Sequence, residues 1–242
     1  MGELDDLDWV MAMEAVELAE HLDQISGHRL ADPLENAHKL QQVATERFLI
    51  DDDLAFALQR VLNLVLQHIQ FIAAQIKQVE QWIAQEAQSL PEIQYLRGPS
   101  GIGPVLASGI AAEIGDLKRF FQGQKWDAKR KRYRPKDLRD VDAAIAKLAG
   151  LWWPRSSSGN FEAEDRKLAK SGNRYLRYYL IEAADQLRRW EPAYVSYYHK
   201  KFTEVNKFRH KRALVLTARK SIRLFVGLLH RKELFRSKEA RS

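Results

Sequence analysis

A run of three serines followed by a glycine is the segment of this sequence that could carry nucleophilic chemistry. It lies in the polar stretch 154–172, where Ser158 directly precedes Gly159. A serine hydroxyl attacks only where a base removes its proton or cations stabilise the developing charge. A phosphodiester is itself an anion, so a serine among cations suits phosphoryl transfer better than acyl transfer. The nearby cations are Arg155, Lys167, Lys170, Arg174 and Arg177. On composition alone, a run of serine and glycine is far more often an ordinary loop.

A glycine-rich segment upstream, GPSGIGPVLA at 98–107, resembles the turn of a helix-hairpin-helix element. Gly101 and Gly103 flank an apolar residue and permit a tight turn, while Ala107 allows two helices to approach closely. The helix that follows presents free backbone N–H groups, which suit a phosphate. The segment therefore predicts either a contact to a nucleic-acid backbone or a ligand-free turn between helices.

Several classes of site are excluded by what the sequence lacks. It has no cysteine, which excludes disulfides, thiolate zinc sites, iron–sulfur clusters and a cysteine nucleophile. No zinc-protease, Walker or dinucleotide-binding motif occurs. Three acids, Glu162, Glu164 and Asp165, could serve a metal-dependent nuclease, but charge balance within a basic loop explains them more simply. No metal site is predicted in this chain.

The net charge of +7 conceals two halves of opposite sign. Residues 1–100 carry 6 Lys/Arg and 17 Asp/Glu, whereas residues 101–242 carry 33 and 15. This asymmetry predicts a polyanion-binding half, with nucleic acid as its commonest partner, joined to an acidic half of the kind that mediates interactions. An acidic N-terminal segment, no transmembrane run and no cysteine indicate a cytoplasmic protein without a membrane partner.

The elements that must position these residues are predicted to be helices, so the fold class is all-α. Predicted helices cover 6–25, 33–48, a long stretch from residue 51, and three C-terminal segments, 173–189, 192–205 and 208–232. A boundary at Leu90-Pro91, close to the change of charge sign, divides the chain into a helical or coiled-coil segment, 1–90, and a second domain, 91–242.

The long predicted helix carries an apolar stripe that recurs every 3.6 residues on average. Its members are Leu54, Leu58, Val61, Val65, Ile69, Ile72, Ile76, Val79 and Ile83. Such a stripe needs a packing partner, which is either another part of the chain or a second copy. The segment 54–88 is therefore predicted to mediate homo-oligomerisation, with intramolecular packing as the alternative.

Two further basic regions are candidates for nucleic-acid contact. Residues 121–140 hold 8 basic and 3 acidic residues with little apolar periodicity, which predicts a solvated basic loop. That loop is either plain surface charge or a nucleic-acid contact. The last helix places Arg212 and Arg219 on a face largely opposite its apolar residues.

Four segments occur in an order and spacing that are specific when taken together. They are GPSGIGPVLASGIAAEIGDLKRF (98–120), KLAGLWWPRSSSGNFEAED (147–165), KSGNRYLRYYLIEAA (170–184) and HKRALVLTARKSIRLF (210–225). This series resembles the C-terminal domain of the DEDD-type insertion-sequence transposases, the bridge-RNA-guided recombinases of bacterial mobile elements. The resemblance covers roughly residues 91–232, and residues 9–90 resemble the helical segment that precedes this domain in a long-chain branch of the family.

The resemblance implies that DNA is the substrate, that a structured guide RNA is a further partner, and that a serine forms a covalent link to DNA. The family's serine stands directly before a glycine, which here is Ser158; Ser157, at the place of the family's usual glutamine, is the alternative. Family members also have a RuvC-like domain whose four acidic residues bind Mg²⁺. The N-terminal region here is predicted to be helical throughout, so the chain is expected to lack that domain and to be inactive alone.

Two non-enzymatic functions remain as alternatives to a transposase. One is a helical module that binds DNA or RNA without catalysis, as in a decayed or truncated transposase. The other is a helical oligomerisation protein without affinity for nucleic acid. Covalent chemistry separates the transposase from the first alternative, and salt-sensitive binding separates it from the second.

Overall fold

The computed structural model describes residues 7–46, 52–154, 157–158, 161–162, 168–169 and 171–236. Helices dominate these residues, which confirms the all-α fold class. The chain forms two compact units, Met1–Phe71 and Ile72–Ser242. This division falls within one continuous helix, so the predicted boundary after residue 90 stays a prediction. None of the described helices is both long and apolar enough to cross a membrane.

Three short helices form the small core of the first unit. They are α1 (Leu7–Ala12), α2 (Ala15–Ile25) and α3 (Pro33–Thr45). As the sequence predicts, α3 begins after Asp32, whose carboxylate accepts a hydrogen bond from the Glu35 N–H at 2.9 Å. Val10, Leu18 and Ala37 are buried where the three helices meet.

The prediction of one continuous helix over 6–25 is wrong, because the chain turns between α1 and α2. Glu14 is extended there, with φ −64° and ψ 142°. The break leaves carbonyl groups at the end of α1, and the Gln41 side chain of α3 donates to those of Val10 and Met13 at 3.3 and 2.8 Å. These hydrogen bonds join residues about 30 positions apart, so no local sequence signal reports them.

The helix α4 (Asp52–Glu86) is the long helix that the apolar stripe predicts. None of the side chains from residue 54 to residue 82 is buried. Ile69, Ile72 and Ile76 are each more than half exposed. The stripe is thus unpaired over most of its length, and within the described residues intramolecular packing does not cover it.

The second unit is a helical domain built around one central helix. Its helices are α5 (Pro91–Arg97), α6 (Pro104–Ile114), α7 (Lys118–Phe121), α8 (Leu138–Leu148), α9 (Arg174–Trp190), α10 (Pro192–Thr203) and α11 (Arg209–Arg231). The central helix α9 packs against α6, α10 and α11, while α8 also packs against α11. The fully buried side chains of Ile110, Ile145, Leu180 and Phe225 belong to the single core these helices share.

Two small antiparallel hairpins interrupt the helices on either side of α8. The first pairs β1 (Gln124–Asp127) with β2 (Arg132–Pro135), and the second pairs β3 (Ser157–Ser158) with β4 (Phe161–Glu162). The prediction of a basic loop over 121–140 is therefore wrong for most of that stretch. The first hairpin holds a left-handed Lys131 (φ 47°) directly before β2, a conformation that allows the chain to reverse there.

Candidate serine and nucleic-acid site

The serine segment starts from the C-terminal end of α8, where a hydrogen-bonded turn fixes the chain direction. The Leu151 N–H donates to the Ala146 carbonyl at 2.8 Å, and Gly150 has φ 68°. Glycine adopts this left-handed conformation without steric cost and commonly ends a helix in this way. Trp152 follows, half-buried, with the Lys147 ammonium 5.3 Å from its ring centre.

The C-terminal end of the serine segment returns to the C-terminal end of α8. The Ala169 N–H donates to the Trp152 carbonyl at 3.0 Å, and the Asn173 N–H donates to the Leu148 carbonyl at 2.6 Å. Gly172 has φ 121°, and a Cβ atom there would collide with the Leu148 carbonyl oxygen. Backbone contacts thus close residues 152–169 into a loop whose two ends are held at one end of α8.

Within this loop, the serines occupy one strand of the second hairpin. Ser157 pairs with Glu162, and Ser158 pairs with Phe161. This register places Ser158 at the end of β3 nearest the turn, with only positions 159 and 160 between the two strands. Arg155, Lys167 and Lys170 lie outside the described residues, as do the side chains of both serines. The assignment of Ser158 as the nucleophile, with Ser157 as the alternative, stays a prediction.

The helix α9 begins immediately after the serine loop, and its first turn is basic. Asn173 caps this turn, because its side-chain oxygen accepts hydrogen bonds from the Tyr175 and Leu176 N–H groups at 2.9 and 3.0 Å. Its amide nitrogen donates to Glu113 at 2.5 Å, which ties α9 to α6. Arg174 is exposed, whereas Arg177 is half-buried and donates to the Ala149 carbonyl at 3.3 Å.

The basic character of this turn opposes the helix dipole. The N-terminal end of a helix carries a partial positive charge and favours acidic side chains, yet the first turn of α9 has none. Arg174 and Arg177 therefore add positive charge where the helix already supplies some. Helix stability does not account for this arrangement, and an anion bound nearby would favour it.

The glycine-rich turn between α5 and α6 has a clear packing role. Gly101 has φ 83°, and a Cβ atom there would lie 2.8 Å from Trp190 and 3.0 Å from Gln186. The Ser100 N–H donates to the carboxylate of buried Glu191 at 3.0 Å. Gly103, by contrast, has no atom within 4 Å of its would-be Cβ. The turn is anchored on α9, and phosphate binding by Gly101 and Gly103 stays a prediction.

The two predicted arginines of α11 occupy different environments. Arg212 is exposed and pairs with Glu204 at 3.1 Å, while it also donates to the Lys201 carbonyl at 3.3 Å. Arg219 is half-buried, and burial lowers its pKa while the charge of Asp142 opposes that shift. Arg212 thus links α11 to the end of α10, and Arg219 lies within electrostatic reach of Asp142. The DNA contacts predicted for these two side chains remain predictions.

Asp142 is a buried carboxyl group near the cations of α11. Burial raises its pKa, and the charges of Arg219 and Arg223 oppose that shift. Its Oδ1 atom accepts no hydrogen bond within the described residues. Asp142 is therefore a buried carboxyl group within electrostatic reach of two arginines of α11.

One carboxylate at the N-terminal end of α8, that of Asp140, holds the first hairpin. The sequence patterns considered above did not identify this residue. Asp140 is 7% exposed and binds Lys125 of β1 at 2.5 Å and Arg134 of β2 at 2.7 Å. Burial raises the pKa of Asp140, but the hydrogen bonds from Lys125 and Arg134, with one from the Asp137 N–H, outweigh burial and hold it far below its ordinary value. A D-x-x-D spacing at a helix start is the sequence signal that could have indicated this capping box.

Metal-ligating residues are scattered through the described ranges. In those ranges no three His, Asp or Glu side chains lie close enough together to hold a metal ion. The expectation that Mg²⁺ binds only with a RuvC-like domain stays a prediction.

Comparison with known proteins adds a family likeness over part of the second unit. A family model described as Transposase IS116/IS110/IS902 family matches residues 138–199. A probable family 20 transposase of Pseudomonas aeruginosa is 28% identical over 124 residues, which make up 51% of this chain and 31% of that protein. The chain thus spans about a third of the length of this curated relative.

The matched segment coincides with the candidate site. It starts at the first residue of α8, contains the serine hairpin and all of α9, and ends within α10. The predicted resemblance to insertion-sequence transposases is confirmed for this segment. The basic hairpin β1–β2 lies just outside it, between the glycine-rich turn and α8.

Proposed function

We propose that this chain is the DNA-binding, serine-bearing part of an insertion-sequence transposase. The observation that carries the proposal is the transposase family match over 138–199, which covers the loop closed by Trp152 and Ala169. A nucleophile needs a fixed position relative to the bound phosphate. The hydrogen bonds that hold both ends of the serine loop at one end of α8 support such positioning.

The proposed reaction is a transesterification at a DNA phosphodiester. The Ser158 hydroxyl oxygen attacks phosphorus, its proton passes to the departing deoxyribose oxygen, and one phosphate ester bond replaces another. The DNA strand becomes linked to the protein through a phosphoserine ester, and a DNA hydroxyl is released. The hydroxyl of a different DNA strand would then attack the phosphoserine ester. This second step releases the serine hydroxyl and joins a new pair of strands.

Cations around the loop would bind the DNA backbone and the charge that develops on the phosphate. Arg174 and Arg177 support this role because they stand in the first turn of α9, at the positive end of the helix dipole. We assign the same role to Arg155, Lys167 and Lys170 on sequence position alone.

The resemblance extends the proposal to a DEDD-type enzyme that works with a RuvC-like domain. That domain would bind Mg²⁺ through its four acidic residues. We expect the chain to show DNA strand exchange only when such a domain is present.

The decisive experiment compares two serine variants in the presence of the RuvC-like domain. The substrate is a supercoiled plasmid that carries the ends of the genomic element encoding this chain, and the product is a protein–DNA adduct that survives denaturant. We expect Ser158→Ala to reduce adduct formation by about a hundredfold or more, as loss of a nucleophile does. The matched variant Ser157→Ala should retain it.

Each outcome of that experiment decides a specific point. Normal adduct formation by Ser158→Ala removes this serine from the mechanism, and loss in Ser157→Ala alone transfers the role to Ser157. If the unaltered protein binds the plasmid in a salt-sensitive manner yet never forms an adduct, the chain is a non-catalytic nucleic-acid-binding module.

A structured guide RNA is a further partner that we propose from the resemblance. The charge of the second half of the chain supports this, since residues 101–242 carry 33 basic and 15 acidic residues. RNA that copurifies with the chain from its own host should include one abundant structured species encoded beside the element. Recovery of only bulk cellular RNA contradicts this assignment.

We also propose that α4 mediates homo-oligomerisation. Its stripe is exposed within the described residues, and a second copy of the same helix would present a matching stripe. The double variant Ile69→Glu/Ile76→Glu places charge on two stripe positions that are 57% and 56% exposed. It should dissociate the oligomer to a monomer in light scattering coupled to gel filtration. Gln78→Glu, on the opposite side of the helix, is the control, and equal masses for both variants contradict the proposal.

A further inference from the structure

We propose that the basic hairpin β1–β2 binds single-stranded DNA, with Trp126 and Tyr133 stacking on unpaired bases. The choice of DNA over RNA rests on the proposed transposase function. The stacking itself rests on the geometry of the hairpin, which lies outside the segment matched to the transposase family.

The two faces of the hairpin are chemically different. Successive side chains of a strand point to opposite faces, and Lys125 pairs with Arg134 while Trp126 pairs with Tyr133. Lys125 and Arg134 both bind the buried carboxylate of Asp140. The hairpin is thus attached to α8 through one face, which leaves the aromatic face directed outward.

The two rings on the outward face are available to a ligand. Trp126 is 51% exposed and Tyr133 is 65% exposed, with ring centres 5.2 Å apart and an interplanar angle of 66°. A cross-strand aromatic pair stabilises a hairpin by itself. Stabilisation of the hairpin does not require four cations beside the rings. Binding measurements on variants of the two rings separate this stabilising role from a role in ligand binding.

A cluster of cations occupies the turn and the start of β2. Its members are Lys129, Arg130, Lys131 and Arg132. The neighbouring carboxylate of Asp127 accepts hydrogen bonds from the N–H groups of Lys129 and Arg130, both at 3.1 Å. These hydrogen bonds close the turn. Within the described part of the chain, none of the four cationic side chains forms an ion pair.

Exposed rings beside unpaired cations match the chemistry of single-strand binding. Cations follow the phosphates, and aromatic rings stack on bases in a way that tolerates any sequence. In a duplex the base faces are already stacked on each other, so only the cations would contribute. The aromatic pair therefore predicts a preference for unpaired bases, such as those exposed when a duplex is opened.

The test measures the affinity of the full chain for three fluorescently labelled probes by anisotropy. The probes are a 20-nucleotide oligo-dT, a 20-base-pair duplex and a 20-nucleotide oligo-U. We expect Trp126→Ala/Tyr133→Ala to weaken oligo-dT binding by about tenfold and duplex binding by less than about twofold. Phe208→Ala removes another aromatic ring that is 79% exposed, and it should change neither affinity.

Two further measurements guard against a hairpin that simply fails to form. The conservative variant Trp126→Phe/Tyr133→Phe keeps both rings and should retain oligo-dT affinity. Photocrosslinking of the unaltered chain to an oligonucleotide containing 5-iodouracil should mark Trp126 or Tyr133 in a peptide map. Crosslinks confined to other regions overturn the proposal.

The remaining outcomes also decide it. Base stacking is overturned if Trp126→Ala/Tyr133→Ala binds oligo-dT within twofold of the unaltered chain. It is also overturned if this variant loses equal affinity for the single strand and the duplex. Tighter binding of oligo-U than of oligo-dT overturns the choice of DNA. These assays use noncovalent binding and need no adduct, so their failure is distinguishable from failure of the serine mechanism.

Discussion

The two hairpins on either side of α8 are held by different forces. The basic hairpin β1–β2 is fixed at the start of α8 by one buried carboxylate, Asp140, which binds two cations from its two strands. The loop with the serine hairpin β3–β4 is fixed at the end of α8 by backbone hydrogen bonds to Trp152 and Leu148 and by the glycine conformation at Gly172. One attachment is ionic. The other consists of backbone hydrogen bonds that require close approach at Gly172, and we call it the steric attachment.

This difference has consequences for what disrupts each attachment. The attachment of the basic hairpin requires the charge of the Asp140 carboxylate, so it depends on protonation. Backbone hydrogen bonds beside a glycine at close approach have no such dependence, but a larger side chain at Gly172 would disrupt them. The two ends of the serine loop are therefore held by shape and not by charge.

The substitution with the largest expected effect is Gly172→Ala, which attacks the steric attachment. The new Cβ atom would collide with the Leu148 carbonyl oxygen, and φ 121° is unfavourable for alanine. Since the obstacle is backbone, the free energy of unfolding should fall by about 3 kcal/mol. Circular dichroism should then record a melting temperature lower by about 6–12 °C.

Gly103→Ala is the matched control, because its φ is −77° and nothing lies within 4 Å of the added carbon. It should melt within about 2 °C of the unaltered protein. Equal melting temperatures for the two variants would show that Gly172 is not required where the loop closes, and the steric half of the comparison would be lost.

Most of the helices could be predicted from local signals. Asp32 followed by proline predicts the start of α3, and the 3.6-residue recurrence of apolar side chains predicts α4. Both signals lie within the helix they specify or directly before it, so no tertiary contact is needed to recognise them. The break between α1 and α2 has no such signal, because its carbonyl groups are satisfied by Gln41 from another helix.

The basic hairpin could not be predicted by the same means. A strand is recognised by alternating apolar and polar residues, but each strand here has four residues and a single aromatic ring. Its attachment to Asp140 joins residues 6 and 15 positions apart, and a run of cations gives no indication of it. The serine loop is intermediate: Asn173 is recognisable as a helix cap, whereas the closure of the loop on Leu148 depends on the fold.

The smaller expected effect comes from Asp140→Asn, which attacks the ionic attachment. An asparagine can retain some hydrogen bonds but loses the charge that holds Lys125 and Arg134, so we expect a loss of about 2 kcal/mol in the free energy of unfolding at neutral pH. The melting temperature should fall by about 4–8 °C. Glu233→Gln is the control, since that exposed side chain makes only a 3.7 Å contact with Arg231.

The ionic attachment is identified specifically by the pH dependence of the difference in unfolding free energy between the unaltered protein and Asp140→Asn. The pKa of Asp140 in the folded chain lies below its ordinary value of 3.8, so its contribution to stability is present above pH 3.8 and is lost as the pH falls through the folded-state pKa. The difference between the unaltered protein and Asp140→Asn in urea unfolding should therefore stay constant between about pH 5 and pH 8 and shrink under more acidic conditions. A difference that is equally large at about pH 3 and at neutrality means that packing, and not charge, holds the basic hairpin on α8. The two hairpins would then be attached by the same kind of force.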